Sequence, residues 1–146
     1  MKHLLVGLVG LVGLVSAVLI YFGLIYAASE LGGEVVTLLR PNAEGNVDEV
    51  RIWFTGDDND AFIEHGGDGD WWLEGLKAVE PLSLLRAGLK VDYQASRAPE
   101  MHAHYHALRR AKYGIADQMI EQLTFSSVDV CEGVVVRLQP FERAGP

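Results

Sequence analysis

The first thirty positions are almost entirely apolar, and shorter apolar runs separated by turns follow. No Asp, Glu, Lys or Arg lies between Lys2 and Glu30. A helix rises about 1.5 Å per residue and the hydrocarbon core of a bilayer is about 30 Å thick, so about 20 residues cross it. The apolar run from Leu4 to Ala28 is longer than that. The sequence therefore predicts a membrane anchor over residues 1–30 and one soluble domain over residues 31–146.

A cleaved signal peptide is the alternative interpretation of this run. Its apolar core would extend over about 7–15 residues and end at small residues. Here the run is longer, and a cut after Ala27 or Ala28 would place Ile25 or Tyr26 where a small residue is preferred. We therefore expect the helix to remain in the mature protein.

The charges that flank the helix predict its orientation. Lys2 and His3 precede it, Glu30 and Glu34 follow it, and the next cation is Arg40. Because Lys and Arg favour the cytoplasmic side, the N-terminus is predicted inside the cytoplasm and the domain outside it, in the periplasm if the cell is bacterial.

Small residues recur along the predicted membrane helix. A triple LVG repeat places Gly7, Gly10 and Gly13 three positions apart, and Ala17 follows at small-xxx-small spacing from Gly13. Small residues allow helix backbones to approach closely in a membrane. Gly is also simply frequent in such helices, but this face predicts packing against a membrane-protein partner or a second copy of the chain.

In the soluble part, alternating or continuous apolar runs predict strands, and longer periodic runs predict helices. Turn residues and prolines separate these runs. The predicted strands are Glu34–Arg40, Glu49–Thr55, Ala61–Glu64, Leu82–Leu85, Leu89–Ala95 and Val134–Leu138. The predicted helices are one from Asp70 to Pro81, which carries Trp71 and Trp72, and a pair over Glu100–Ala111 and Ile115–Leu123. This order predicts an α+β domain, a mostly antiparallel and partly open barrel with two helical segments.

The charge of the domain excludes one class of partner. All 20 acidic residues follow Ala28, with 11 of the 12 basic ones. A surface this acidic repels phosphate backbones, so we expect no nucleic-acid binding. Cys131 is the single cysteine, and it is interpreted as a small buried hydrophobe.

Three histidines form the most conspicuous candidate for chemistry. His102 and His106 are four positions apart and share a helix face, whereas His104 points elsewhere. A zinc site needs further ligands, as in the H-E-x-x-H motif, and that motif is absent here. The sequence alone therefore favours a solvated helix face, and we expect no metal.

The soluble part resembles the flavin-type split-barrel family, in particular the deazaflavin-dependent nitroreductase-like proteins. The segments that carry the resemblance are VVTLL, EVRIWF, WWLEGLKAVEPLSLLRAG, KVDYQA and VVVRLQP, within residues 34–140. The resemblance implies a split β-barrel, often dimeric, that binds FMN or a deazaflavin and reduces quinones or nitro compounds. If the domain does bind a flavin, Arg51, Trp53, Lys112 and Arg137 are the residues of this chain expected to hold it.

One departure from the family pattern decides between two hypotheses. Working members have a Gly- and cation-rich segment between the first two strands, whereas this chain has PNAEGNVDE, with three acids and no base. Phosphate needs backbone amides or cations. We therefore expect a cofactor-free domain that serves as an accessory or structural subunit of a membrane complex. A membrane-tethered FMN- or deazaflavin-dependent reductase is the alternative. If no cofactor is bound, Arg51, Lys112 and Arg137 are expected to pair with local carboxylates such as Glu49 or Asp117.

Overall fold

The computed structural model describes residues 2–42, 44–56, 60–66, 72–73 and 81–141, with side-chain environments from residue 8 onward. Its helices are α1 (Lys2–Leu31), α2 (His102–Tyr113) and α3 (Ile115–Thr124), with one-turn 3-10 helices at Pro99–Met101 and Val128–Val130. Its strands are β1 (Val35–Pro41), β2 (Val47–Trp53), β3 (Thr55–Gly56), β4 (Ala61–His65), β5 (Leu82–Arg86), β6 (Leu89–Arg97) and β7 (Val134–Pro140).

The strands form one curled antiparallel sheet in the order β2-β1-β5-β6-β7-β4-β3. The pairing of β1 with β2 sets Val36 opposite Ile52 and Leu38 opposite Val50, so the apolar positions of both strands face the core. The sheet curls until β2 approaches β4. The predicted α+β class with a mostly antiparallel, partly open barrel is confirmed.

Two turns have the backbone that the sequence signals require. Ala87 and Gly88 both have positive φ (50° and 80°) between the paired residues Arg86 and Leu89. Two residues with positive φ characterise a type I′ hairpin turn, which explains the glycine there. Gly114 (φ 51°) separates α2 from α3, as predicted.

The predicted strand Glu49–Thr55 is interrupted in the structure. Phe54 lies outside both β2 and β3, and its backbone N–H donates to the hydroxyl of Tyr113 at 3.0 Å instead of joining the β1 ladder. Thr55 then pairs with Phe62 of β4. The prediction of one continuous strand was wrong because a tyrosine from α2 takes the place of a strand partner.

The core lies inside the curled sheet. Its fully buried large side chains include Phe54, Ile63, Leu84 and Leu138, together with Trp72. The helix predicted from Asp70 falls mostly outside the described residues, but Trp72 and Leu73 are helical and buried. Trp72 therefore fills the core, while Trp71 lies outside the described part.

Helix α1 continues directly into the domain. It packs against α3, and the hydroxyl of Tyr21 donates to the carbonyl of Leu123. Gly32 and Gly33 follow the helix, and a methyl group on either would collide with Ala116 or with the ring of Tyr113. Helix α1 and the domain therefore meet at a tightly packed two-glycine joint.

The length and composition of α1 allow it to cross a membrane. The candidate span is Leu8–Leu31, with a mean hydropathy of 2.6 and no buried residue in its most apolar window. Crossing, retention and orientation stay predictions.

Candidate functional site

The predicted cofactor residues Arg51 and Trp53 contact the end of helix α1. The guanidinium of Arg51 donates to the carboxylate of Glu30, with Nε 2.7 Å from Oε2. The indole Nε1 of Trp53 donates to the carbonyl of Ser29 at 2.7 Å. Its ring stacks on Tyr113, with centroids 4.3 Å apart and an interplanar angle of 16°. Both residues thus fasten β2 to α1.

Lys112 is held by groups at the beginning of the sheet. Its Nζ lies 2.5 Å from Oε2 of Glu34 and 2.7 Å from the carbonyl of Phe54. Arg86 donates to the other oxygen of the same carboxylate at 2.6 Å. Burial alone would raise the pKa of Glu34, but the hydrogen bonds from Lys112 and Arg86 outweigh it and lower that pKa. Glu34 is therefore ionised and neutralises both cations in part.

Arg137 forms a two-pronged ion pair with Asp60. Its Nε lies 2.5 Å from Oδ1 and its Nη2 lies 3.0 Å from Oδ2. Arg51, Lys112 and Arg137 thus each pair with a carboxylate, and whether the domain binds a cofactor stays a prediction. The partners are Glu30, Glu34 and Asp60, so the expectation of Glu49 or Asp117 was wrong. Glu30 lies at the end of α1, Glu34 lies just before β1, and Asp60 lies just before β4.

In the described part of the chain, the predicted cofactor residues lie at two separate clefts. Arg51 and Trp53 line a cleft of about 280 Å³ beside Arg109. Lys112 lines a different cleft of about 540 Å³, together with Asp60, the partner of Arg137. Among the described residues, Arg51 and Lys112 are thus separated into different clefts.

A buried ionic network, which the sequence did not predict, joins α2 to α3. Asp117 is 1% exposed and accepts from Nε of Arg109 at 2.6 Å and from Arg110. Glu121 of α3 pairs with both arginines as well. Nη1 of Arg109 also donates to Oε2 of Glu64 at 2.9 Å, so the network reaches strand β4.

Beside this network, four potential metal ligands converge. They are Glu64 of β4, His102 and His106 of α2, and Cys131 before β7, and their ligand atoms all lie within 4.8 Å of one another. Oε1 of Glu64 lies 3.6 Å from Nε2 of His102, 3.3 Å from Nε2 of His106 and 3.4 Å from Sγ of Cys131. The two Nε2 atoms are 3.2 Å apart.

Two sequence-based expectations about these residues were wrong. His106 is 4% exposed, so α2 does not present both histidines on a solvated face. Cys131 is half-buried among polar groups instead of filling the core. His104 does point elsewhere, edge-on to Phe62. The expectation that no metal binds is untested, but its premise of too few ligands fails because the fold brings in two more.

Burial shifts the pKa values of two members of this cluster, His106 and Cys131. It lowers the pKa of His106, and the nearby Arg109 cation lowers it further, so the imidazole is neutral. Burial also raises the pKa of the Cys131 thiol. A neutral imidazole can ligate a metal directly, whereas the thiol must lose its proton to do so.

Comparisons with known proteins do not assign a family to the chain. The sequence matches no protein-family model, and no curated protein is similar to it. Among solved structures, the chain is similar to the heme storage protein HutZ of Vibrio cholerae, at 16% identity and a TM-score of 0.48. The similarity covers 75% of this chain and 83% of that one. Similarity of this degree does not indicate a shared ligand or activity.

Proposed function

We propose that this chain is a single-pass membrane protein whose half-barrel domain binds no flavin and serves as an accessory subunit at the membrane surface. One observation carries the proposal. Arg51 and Trp53, the two candidate cofactor residues on β2, instead hold the anchor helix, through Arg51 to Glu30 and Trp53 to Ser29. Residues that would bind a flavin in a reductase here connect the domain to its anchor.

The position along α1 of its contact with α3 supports a domain that lies directly on the membrane surface. About 20 residues counted from Leu4 cross the hydrocarbon core and end near Gly23. Tyr21 then lies at the headgroup level, where amphipathic rings are favoured. Since its hydroxyl bonds the carbonyl of Leu123, the C-terminal end of α3 lies at the same level. Phe125 follows that end and is 86% exposed, so it is placed to enter the interface.

The predicted helix-packing face is uncovered in the described part of the chain. Gly10, Gly13 and Ala17 are exposed, and a methyl group added at either glycine would meet nothing within 4 Å. The surroundings of Gly7 lie outside the described residues. This face supports the proposal that α1 packs against a helix of a partner membrane protein.

The competing reductase would have to dismantle these contacts. A phosphate at Arg51 would displace Glu30, and a phosphate at Lys112 would displace Glu34 from a site that also binds Arg86. Leaving those carboxylates without partners opposes binding. The acidic turn between β1 and β2 would also repel the negatively charged phosphate.

Cofactor titration of the full chain in mild detergent tests the proposal. We expect FMN and a deazaflavin cofactor to show no saturable binding below about 100 μM, equivalent to about 5.5 kcal/mol. A tight fluorescence change that is lost in Arg51→Ala and kept in Arg40→Ala would establish the reductase instead.

Anchoring and partner contact need their own measurements. The intact mass of membrane-purified protein should include residues 1–28, and protease added to spheroplasts should digest the domain. A mature terminus near Ser29, or full protection until lysis, would contradict anchoring or orientation respectively. Gly13→Leu should abolish co-purification of a membrane partner, while the neighbouring control Val12→Leu should keep it.

A further inference from the structure

We propose that Glu64, His102, His106 and Cys131 bind one divalent transition-metal ion of the zinc class. This inference does not rest on the proposed function. The sequence led us to expect no metal here, because it showed only the two histidines of α2. The fold adds two ligands, Glu64 from β4 and Cys131 from the segment before β7, which no helix motif could reveal.

The spacing of the ligand atoms fits a tetrahedral ion. Bonds of about 2.0–2.1 Å to nitrogen or oxygen and about 2.3 Å to sulfur imply ligand separations of about 3.3–3.6 Å in a tetrahedron. The observed separations are 3.2 Å between the imidazole nitrogens, 3.3 and 3.6 Å from them to Oε1 of Glu64, and 3.4 Å from that oxygen to Sγ. The two remaining separations, from Sγ to the imidazole nitrogens, are within 4.8 Å, so the four donors can close around one ion after a small adjustment of the cysteine side chain.

Three separate elements hold these donors in place. His102 and His106 are one helical turn apart on α2, so their rings project toward the same point. Glu64 is on β4, which β7 pins on one side. Cys131 follows the 3-10 helix Val128–Val130. Gly133 makes room for the carboxylate, because a methyl group there would lie 2.6 Å from the carboxyl carbon of Glu64.

The charges that face the cluster favour a cation. Ligands bind a metal in their deprotonated forms, so the Glu64 carboxylate and the Cys131 thiolate would supply two negative charges to a bound ion. Arg109 is the cation next to it, and its guanidinium is paired with Asp117 and Glu121 as well as with Glu64. Its bond to Oε2 leaves Oε1 directed at the histidines, as outer-shell partners do at metal sites.

The donor set indicates which metals fit. Mg²⁺ and Ca²⁺ prefer oxygen ligands in shells of six or more, and a cluster of two imidazoles, one thiolate and one carboxylate does not suit them. Zn²⁺ takes this mixture in four-coordinate sites, and Co²⁺ occupies similar sites. With all four positions supplied by protein, the ion would be structural and would cross-link α2, β4 and the approach to β7.

The experiment is a titration of the metal-free full chain in mild detergent with Co²⁺, followed by displacement with Zn²⁺. We expect one Co²⁺ per chain, tetrahedral d–d absorption, a thiolate-to-cobalt charge-transfer band, and loss of both signals on adding Zn²⁺. Outer-shell changes cost about 10–100-fold in metal affinity, so the ligand changes His102→Gln and Cys131→Ser should cost more than about 100-fold. Cys131→Ser should also remove the charge-transfer band.

His104→Gln is the matched control, since His104 is exposed on the same helix and lies outside the cluster. It should keep wild-type affinity and spectrum. His106→Gln alters a buried residue, so circular dichroism of each metal-free variant separates loss of ligation from loss of fold. The proposal is overturned if wild type binds no Co²⁺ or Zn²⁺ stoichiometrically. It is equally overturned if folded His102→Gln and Cys131→Ser bind as tightly as His104→Gln.

Discussion

Tyr113 joins α2 to the beginning of the sheet, and removing its hydroxyl should destabilise the domain in a pH-dependent way. The hydroxyl lies 2.6 Å from the carbonyl of Phe54 and 2.7 Å from that of Glu34, and it accepts from the N–H of Phe54. In Tyr113→Phe that N–H, on a residue with no exposed surface, loses its acceptor. An unsatisfied buried group costs about 1–3 kcal/mol, which is the expected loss at neutral pH.

The pH dependence follows from the pKa of the same hydroxyl. Burial is the main cause that raises the pKa of Tyr113 from 10.0 to about 12. A raised folded-state pKa stabilises the fold below the unfolded pKa, and this stabilisation disappears as pH rises through the folded pKa. Two pKa units correspond to about 2.7 kcal/mol in full, of which about 1.4 kcal/mol is lost by pH 11. The gap between wild type and Tyr113→Phe should therefore narrow by about 1.4 kcal/mol between pH about 8 and about 11.

Urea unfolding of the full chain in mild detergent, followed by circular dichroism at both pH values, measures this gap. The buried Tyr105 also has a raised pKa, because of burial and the nearby Glu64, but it is present in both proteins and cancels in the difference. Tyr26→Phe, at an exposed position, should stay within about 0.5 kcal/mol of wild type. A gap below about 0.5 kcal/mol at neutral pH, or one that does not change with pH, would refute the reasoning.

Three further outcomes are expected. Asp117→Asn should lower the free energy of unfolding by about 3 kcal/mol, because it removes the charge of the most buried partner of Arg109. Asp48→Asn is the control, because it alters a half-exposed ion pair, and it should cost no more than about 1 kcal/mol; urea titration measures both. Gly133→Ala should displace the carboxylate of Glu64 and weaken Co²⁺ binding by about 10-fold or more, whereas the exposed neighbour change Glu132→Ala should leave the titration curve unchanged. Phe125→Ser should weaken the proposed contact of the domain with the bilayer, and faster amide exchange at the end of α3 in lipid nanodiscs should report the change. The control Leu89→Ser, at an exposed position on the β5–β6 hairpin, should leave amide exchange at the end of α3 unchanged.

Local sequence signals were sufficient for most of the fold. Alternation in residues 49–54 placed Val50 and Ile52 toward the core, and Gly88 and Gly114 marked a hairpin and a helix break. These signals act between near neighbours in the chain, where periodicity and turn chemistry dominate. The break of the second strand at Phe54 was missed because its cause, the hydroxyl of Tyr113, is 59 positions away.

The candidate metal cluster shows the same limit more sharply. His102 and His106 have helical spacing and were recognised as a pair, but Cys131 and Glu64 are 67 positions apart and belong to no shared motif. Only the pairing of β4 with β7 brings them together. The burial of His106 was also hidden, because most of α2 is polar and its buried face is made of Tyr105, Arg109 and Tyr113.

The close contacts at Gly32 and Gly33 couple the orientation of helix α1 to that of the half-barrel. One inserted residue rotates a helix by about 100°, so a single alanine added between Ala17 and Val18 would turn the Gly10 and Gly13 face to another direction relative to the sheet. If α1 spans the membrane as proposed, the number of residues in it therefore sets the direction in which the domain faces a partner bound to the Gly10 and Gly13 face.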